Sequence, residues 1–208
     1  MRPALLATLC AAALTMSGCR SKEERSYQGR MQAVPDSEMA LVELAAGTLV
    51  AVHLSDGSVK WRYQVAIPPS PYLDFSEEHR LVCPIVATRA GDLVLRYDAE
   101  LHVVAGQDGR LRWKRRVRRW ARNWLRCPAA AADSGVVLLR QSGLRVQKLN
   151  ADGSEDWAVG IAAMGAAIAP PTVSPDTGDV LIETASHLVN ISPEGAINWA
   201  RPRKRLAR

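Results

Sequence analysis

The side chains able to do chemistry are few and scattered. Four histidines, His53, His79, His102 and His187, fall on two strand-like runs, a loop and a further strand-like run. None stands at a spacing that would bring a second ligand or an acid–base partner to the same point, so they read as strand and surface residues. No GxSxG elbow, HExxH pair or glycine-rich phosphate loop occurs. The four cysteines contain no CxxC and no Cys/His metal spacing. These residues name no catalytic group, metal ligand or cofactor, and the expectation is a protein that is not an enzyme and takes no small-molecule substrate.

One cysteine has a chemical context of its own. Met1 and Arg2 are followed by the apolar run "PALLATLCAAALT", too short to span a bilayer and of the length of a secretory signal. Its end, "MSGC", resembles the bacterial lipobox, with Met16 in place of the usual leucine and with Ser17, Gly18 and Cys19 in register. The resemblance implies cleavage of residues 1–18 and acylation of Cys19. Several acyl chains at about 0.8 kcal/mol per methylene would hold such a protein on a membrane permanently. Arg20 is not the aspartate that retains lipoproteins in the inner membrane, so the resemblance implies the periplasmic side of the cell outer membrane. Residues 19–34 are polar, mixed in charge and without apolar period, and read as a tether.

The whole chain carries a formal charge of +6, a modest excess, and much of it is local. In "KRRVRRWARNWLR" the residues Arg115, Arg116, Arg118, Arg119, Arg122 and their neighbours surround Trp120 and Trp124. Two readings stand: a docking surface for an acidic protein or anionic headgroups, with the tryptophans as anchors, or a solvated outer strand and loop. Export makes nucleic acid an unsuitable partner. Residues 201–208 form a basic tail.

The elements that carry these residues are set by a repeat. "LSDGSVKW", "GQDGRLRW", "NADGSEDW" and "SPEGAINW" each place an acidic residue and a glycine ahead of a tryptophan, giving the pairs Gly57 and Trp61, Gly109 and Trp113, Gly153 and Trp157, and Gly195 and Trp199. Upstream, Pro84, Pro128 and Pro171 stand seven residues before Gly91, Gly135 and Gly178. The period is about 43 residues. Each unit reads as four short antiparallel strands joined by tight turns, the pattern of a propeller blade. The glycine permits a positive φ, the acidic residue caps the turn, and the tryptophan is expected to share a face with Val59, Leu111 or Ile197 two positions earlier and to pack on the neighbouring blade. Glu155 breaks that apolar rule in the third unit. The first unit lacks the proline landmark and reads as partial, any innermost strand having to come from "GRMQAV"; residues 68–80 read as an inserted loop.

Cys83 and Cys127 occupy the same position in successive units, each just before the proline. Either a disulfide between neighbouring blades or two buried thiols fits, since the pairing requires Cα atoms within about 7 Å.

The proline, the "LVAVHLSDG"-like strand and the tryptophan together resemble the pyrroloquinoline-quinone-like repeat of β-propellers, and the lipobox ahead of them makes the chain similar to outer-membrane protein assembly lipoproteins of the BamB type. The resemblance covers about residues 38–200. It implies an all-β propeller of about four blades, three good and one partial, with the repeat domain at 35–200. Such propellers close with six to eight blades, so the ring is expected to be small, open, or a fragment of a longer ancestor. The resemblance further implies a lipid-anchored scaffold or adaptor that contacts envelope proteins, with outer-membrane protein assembly as the process. Two other readings stay open: a ligand sensor or remnant of a quinone-type enzyme, and a partial propeller without independent activity. Quinone-dependent relatives use vicinal cysteines and a larger ring, which this sequence lacks.

Overall fold

A computed structural model describes residues 31–34, 37–44, 47–65, 81, 83–97, 100–117 and 127–203. Every major element is a strand, and the strands form four separate four-stranded antiparallel sheets, each a meander in chain order. No helix among the described residues is long and apolar enough to cross a membrane. The chain divides into two compact units, Met1–Arg80 and Leu81–Arg208.

The first unit holds one sheet: β1 (Met31–Ala33), β2 (Met39–Glu43), β3 (Thr48–His53) and β4 (Val59–Gln64). The first repeat is therefore a complete blade and not a partial one. Its innermost strand, "MQA", lies inside the stretch "GRMQAV" and pairs with β2 through Met31 opposite Val42. Strand structure thus starts ahead of residue 35, inside the segment expected to be a tether. Leu41, Leu49 and Ala51 are fully buried at the centre of this sheet.

The second unit holds three sheets: β5 (Val86–Ala87) to β8 (Leu111–Arg116) through β6 (Asp92–Tyr97) and β7 (Glu100–Ala105); β9 (Ala129–Ala130) to β12 (Glu155–Gly160) through β10 (Val136–Arg140) and β11 (Arg145–Leu149); and β13 (Thr172–Val173) to β16 (Ile197–Pro202) through β14 (Val180–Glu183) and β15 (His187–Ile191). The innermost strands are only two residues long because each begins just after Pro84, Pro128 or Pro171, a residue that cannot donate to a ladder. β16 reaches Pro202, so the last blade takes in the start of the expected basic tail.

The core of this unit lies between its sheets. Val94, Leu101 and Val103 of one blade pack with Val136, Leu138 and Leu149 of the next. Val137, Leu139 and Val146 on the opposite face of that middle blade pack with Val180, Ile182, Val189 and Ile191 of the last. Strand β10 is buried on both faces, which is why "VVLL" shows no polar alternation. The outer strands β8, β12 and β16 are mostly exposed.

All four sheets share one irregularity that reverses an expectation. The pairing of the outer strand slips by one residue between Ala51 and Val52, Val103 and Val104, Lys148 and Leu149, and Asn190 and Ile191. Val59 therefore pairs with Val52 while Trp61 pairs with the next residue back, Ala51. Because neighbouring residues on a strand point to opposite faces, the extra residue puts Val59 and Trp61 on opposite sides of the sheet. Burial agrees: Trp61 is 7% exposed and Val59 46%, and Leu111 and Ile197, at the equivalent position, are 43% and 40% exposed. The expectation that each tryptophan shares a face with the apolar residue two positions earlier is thus corrected by the bulge. Glu155 is no exception to a buried rule; it occupies a position that faces solvent in every blade.

Candidate functional site

Within the second unit the tryptophans act as inter-blade struts. The Trp113 indole Nε1 donates to the carbonyl of Ala151 at 2.7 Å, and the ring lies on Gly153, where an added Cβ would stand 2.7 Å from Cδ2. Trp157 repeats the contact one blade on: Nε1 donates to the Pro193 carbonyl at 2.7 Å, and a Cβ on Gly195 would stand 2.7 Å from Cγ. The acidic residue ahead of the glycine serves the turn itself; Asp152 Oδ1 accepts the Ser154 N–H at 2.9 Å, as Asp56 Oδ1 accepts that of Ser58 at 2.9 Å. Glycine is required at 153 and 195 twice over, by a φ of +83° and +88° and by the indole face above.

Polar groups reinforce one of these seams and tie together the blade of β9 to β12. Arg115 Nη1 donates to the Gly153 carbonyl at 3.0 Å, and its Nη2 stands 3.8 Å from the Glu155 carboxylate. Buried Gln147 donates to Glu155 and accepts from Arg140 Nη1 at 2.9 Å. Lys148, with its side chain almost fully buried, reaches Asp133 Oδ2 at 2.6 Å and Asp156 Oδ2 at 2.9 Å. Burial pushes the Asp133 carboxyl up, but the hydrogen bonds from Lys148 and from the Gly135 N–H outweigh it, and the net shift is downward. Burial likewise pushes Lys148 down, and its two carboxylate partners reverse this into a net rise. This pairing has a sequence signal that pattern reading passed over. Its sister residues opposite the tryptophans are Ala51, Val103 and Asn190, so Lys148 is the only cation in that register.

Cys83 and Cys127 are bonded, with Cα atoms 5.2 Å apart across 44 residues of chain. The link sits where the innermost strands β5 and β9 approach each other.

The histidines do not converge. His102 is buried on β7, with Nε2 2.9 Å from Glu100 and its ring edge-on to Tyr97 at 5.3 Å between centroids. Desolvation lowers its pKa more than Glu100 raises it. His187 Nδ1 lies 2.9 Å from Ser186 Oγ on β15, His53 closes β3, and His79 lies outside the described residues. Among the described residues no three His, Cys, Asp or Glu side chains stand close enough to hold a metal.

Of the basic stretch, Arg115 and Arg116 are on β8, and Arg118, Arg119, Trp120, Arg122 and Trp124 lie outside the described residues, as does Cys19. Strand alternation in "LRWKRR" sends Arg112, Lys114 and Arg116 to solvent while Trp113 and Arg115 turn toward the next blade. The exposed cationic row on this outer strand is the part of the surface that the structure defines. Arg112 is drawn toward Asp92, 3.4 Å away.

A family profile described as outer membrane protein assembly factor BamB matches residues 75–206. The chain belongs to this family. The matched span takes in all three blades of the second unit. A search of curated proteins finds no match. Among solved structures, the crystal structure of BamB from Moraxella catarrhalis is similar in fold, with a TM-score of 0.56 and 19% identity over 83% of this chain and 47% of that one. The chain thus spans about half the length of that solved relative, and the likeness establishes the BamB-like propeller fold.

Proposed function

We propose that this BamB-family chain is a lipid-anchored, non-enzymatic adaptor on the periplasmic side of the outer membrane, contributing to outer-membrane protein assembly through protein contacts. The observation that carries the reading is the family match across three consecutive blades. Two features of the surface support it. The outer strand of each blade is a sheet edge with mostly exposed side chains, the kind of element to which an extended partner adds as a further strand. The β8 row of Arg112, Lys114 and Arg116 would favour a partner segment rich in Asp and Glu. Acylation of Cys19 would hold these edges close to the membrane where barrel proteins are assembled.

The test is a deletion strain in which folded outer-membrane barrels are quantified by heat-modifiable migration. A reduced folded fraction, restored by the wild-type chain and less well by a variant with Arg112, Lys114 and Arg116 replaced by Ser, is expected. Unchanged barrel levels would count against the assembly role. Fractionation of Cys19→Ser tests the anchor separately, the expected result being release from the membrane pellet.

A further inference from the structure

One row of side chains across the blade of β9 to β12 breaks the charge pairing of an ordinary sheet. Arg140 ends β10 and lies directly opposite Arg145, which begins β11, and Arg145 in turn lies opposite Gly160, the last residue of β12. Like charges directly opposed across a ladder destabilise it. Among the described residues no carboxylate pairs with either arginine, and the acids of this blade are engaged elsewhere, Glu155 by Gln147, and Asp133 and Asp156 by Lys148. The neighbouring blade shows what the row lacks. At the same place, where β6 passes to β7, Tyr97 lies opposite Glu100 and Glu100 opposite Arg116, so a carboxylate stands beside the cation. Both arginines of the later blade share the face of Val136 and Leu138, which pack on the β5 to β8 blade. Arg140 is half-buried and held, its Nη1 donating at 2.9 Å to Gln147. Arg145 and Gly160 are exposed, and nothing lies within 4 Å of the position a Cβ on Gly160 would take.

The backbone beside this row is open in the same direction. The Ile161 N–H donates to the Leu144 carbonyl at 2.8 Å, so by the alternation of an antiparallel ladder Gly160 turns its own N–H and C=O away from β11, toward the free edge of the sheet. We propose that the end of β12 takes an extended acidic segment of a partner protein as a further strand, with one Asp or Glu opposite Gly160 captured by the Arg145 guanidinium and backed by that of Arg140. Strands stand about 4.8 Å apart, so the new residue and Arg145 would be about 10 Å apart at Cα. A glutamate and an arginine meet across that span only where the residue between them has no side chain, which accounts for glycine at a position whose φ does not demand one. The captured carboxylate completes the row as Glu100 does in the neighbouring blade. The adaptor reading supplies only the class of partner, a protein; the edge, the row and the recognised group come from the blade.

The experiment uses the full chain in detergent and fluorescein-labelled peptides of alternating valine and threonine with a single central glutamate, or with glutamine in its place, read by anisotropy. The glutamate peptide is expected to bind at least about 10-fold more tightly, the margin of a charge-assisted hydrogen bond, and to lose that margin at high salt. Arg145→Gln removes the captor and Gly160→Val fills the gap. Each should erase the preference while the glutamine peptide binds as before. Nothing crowds the Cβ position of Gly160, so the fold is retained, which circular dichroism checks. Arg89→Gln, an exposed arginine on a turn of the neighbouring blade, should leave the preference intact. Equal affinity of wild type for the two peptides would overturn the proposal. A preference that survives both variants, or that falls equally in Arg89→Gln, would overturn it too. So would Arg145-dependent binding to phosphatidylglycerol vesicles without any peptide preference, since the pair would then serve lipid headgroups. Peptide binding is measured apart from barrel assembly, so a failure here leaves the assembly role standing, and the reverse holds as well.

Discussion

The indole of Trp113 and the backbone of Gly153 are in direct contact across two blades, with no room between them for even a methyl group. The hydrogen bond from Trp113 Nε1 to Ala151 fixes the ring's rotation, and the glycine fixes its depth. Trp157 and Gly195 repeat the relationship, so the first two blades of the second unit are each keyed to the turn of the next. Propeller blades share no backbone ladder between sheets, so side-chain packing must set their spacing. A rigid aromatic with one donor does this with little conformational freedom to lose.

Gly153→Ala is accordingly expected to destabilise by about 2–5 kcal/mol, combining left-handed strain for an L-residue at about 1–2 kcal/mol with overpacking at about 1–3 kcal/mol. Trp113→Phe keeps most of the packing, loses the donor, and should cost about 1 kcal/mol. Urea unfolding monitored by far-ultraviolet circular dichroism gives both values. A Gly153→Ala variant within 0.5 kcal/mol of wild type would show that the seam is soft.

Reduction of the Cys83–Cys127 bond should lower stability by about 4 kcal/mol, from the loss of a cross-link closing a loop of 44 residues. The bond joins neighbouring innermost strands that are only two residues long and have few ladder bonds of their own. Thermal melts with and without dithiothreitol, and of a Cys83→Ala/Cys127→Ala variant, check this. The reductant should have no effect on the double variant.

Glu155→Val should destabilise by about 1–3 kcal/mol, because the exposed carboxylate's pair with Arg115 is long and adds little while the buried Gln147 amide loses its acceptor. This outcome separates the bulged register from an unbulged one, in which residue 155 would lie in the inter-blade core and valine would stabilise markedly.

The turn-and-tryptophan period was legible because its causes are local: an Asp–Gly turn, a proline ahead of a short strand, and apolar runs between them. The bulge was not, since an extra residue in an outer strand leaves the alternation of "VKW" or "LRW" looking regular while reversing which face the tryptophan takes. Glu155 was singled out for the same reason. The first blade's innermost strand was placed in "GRMQAV" only by elimination, because "MQA" has no proline before it and borrows its strand character from pairing with β2. The state of Cys83 and Cys127 depended on a distance between blades that no one-dimensional pattern contains. The Lys148 cluster is not legible in the sequence because its two acidic partners, Asp133 and Asp156, come from the turn before β10 and from the outer strand paired with its own.

Stability should peak at neutral to mildly alkaline pH, with an acid limb set first by His102 and an alkaline limb set by Lys148. His102 has its folded-state pKa below the ordinary histidine value, chiefly through burial, with Lys114 adding to the effect and Glu100 opposing it. The unfolded chain then binds the proton more readily, so the contribution of neutral His102 is complete above about pH 6.5 and is lost as pH falls through the folded-state value. Asp133 is also depressed, and adds a second loss only below about pH 4. Lys148 is raised, so its contribution is complete below about pH 10.4 and is lost as pH rises through the higher folded-state value. Urea midpoints from pH 4.5 to 11 in constant ionic strength measure the profile. His102→Gln, which keeps a donor toward Glu100 and cannot titrate, should flatten the limb below pH 6.5. Lys148→Met should flatten the limb above pH 10 and lower the plateau, because Asp133 and Asp156 lose their shared cation. An acid limb unchanged in His102→Gln would assign it to other groups and remove the role given to the buried imidazole.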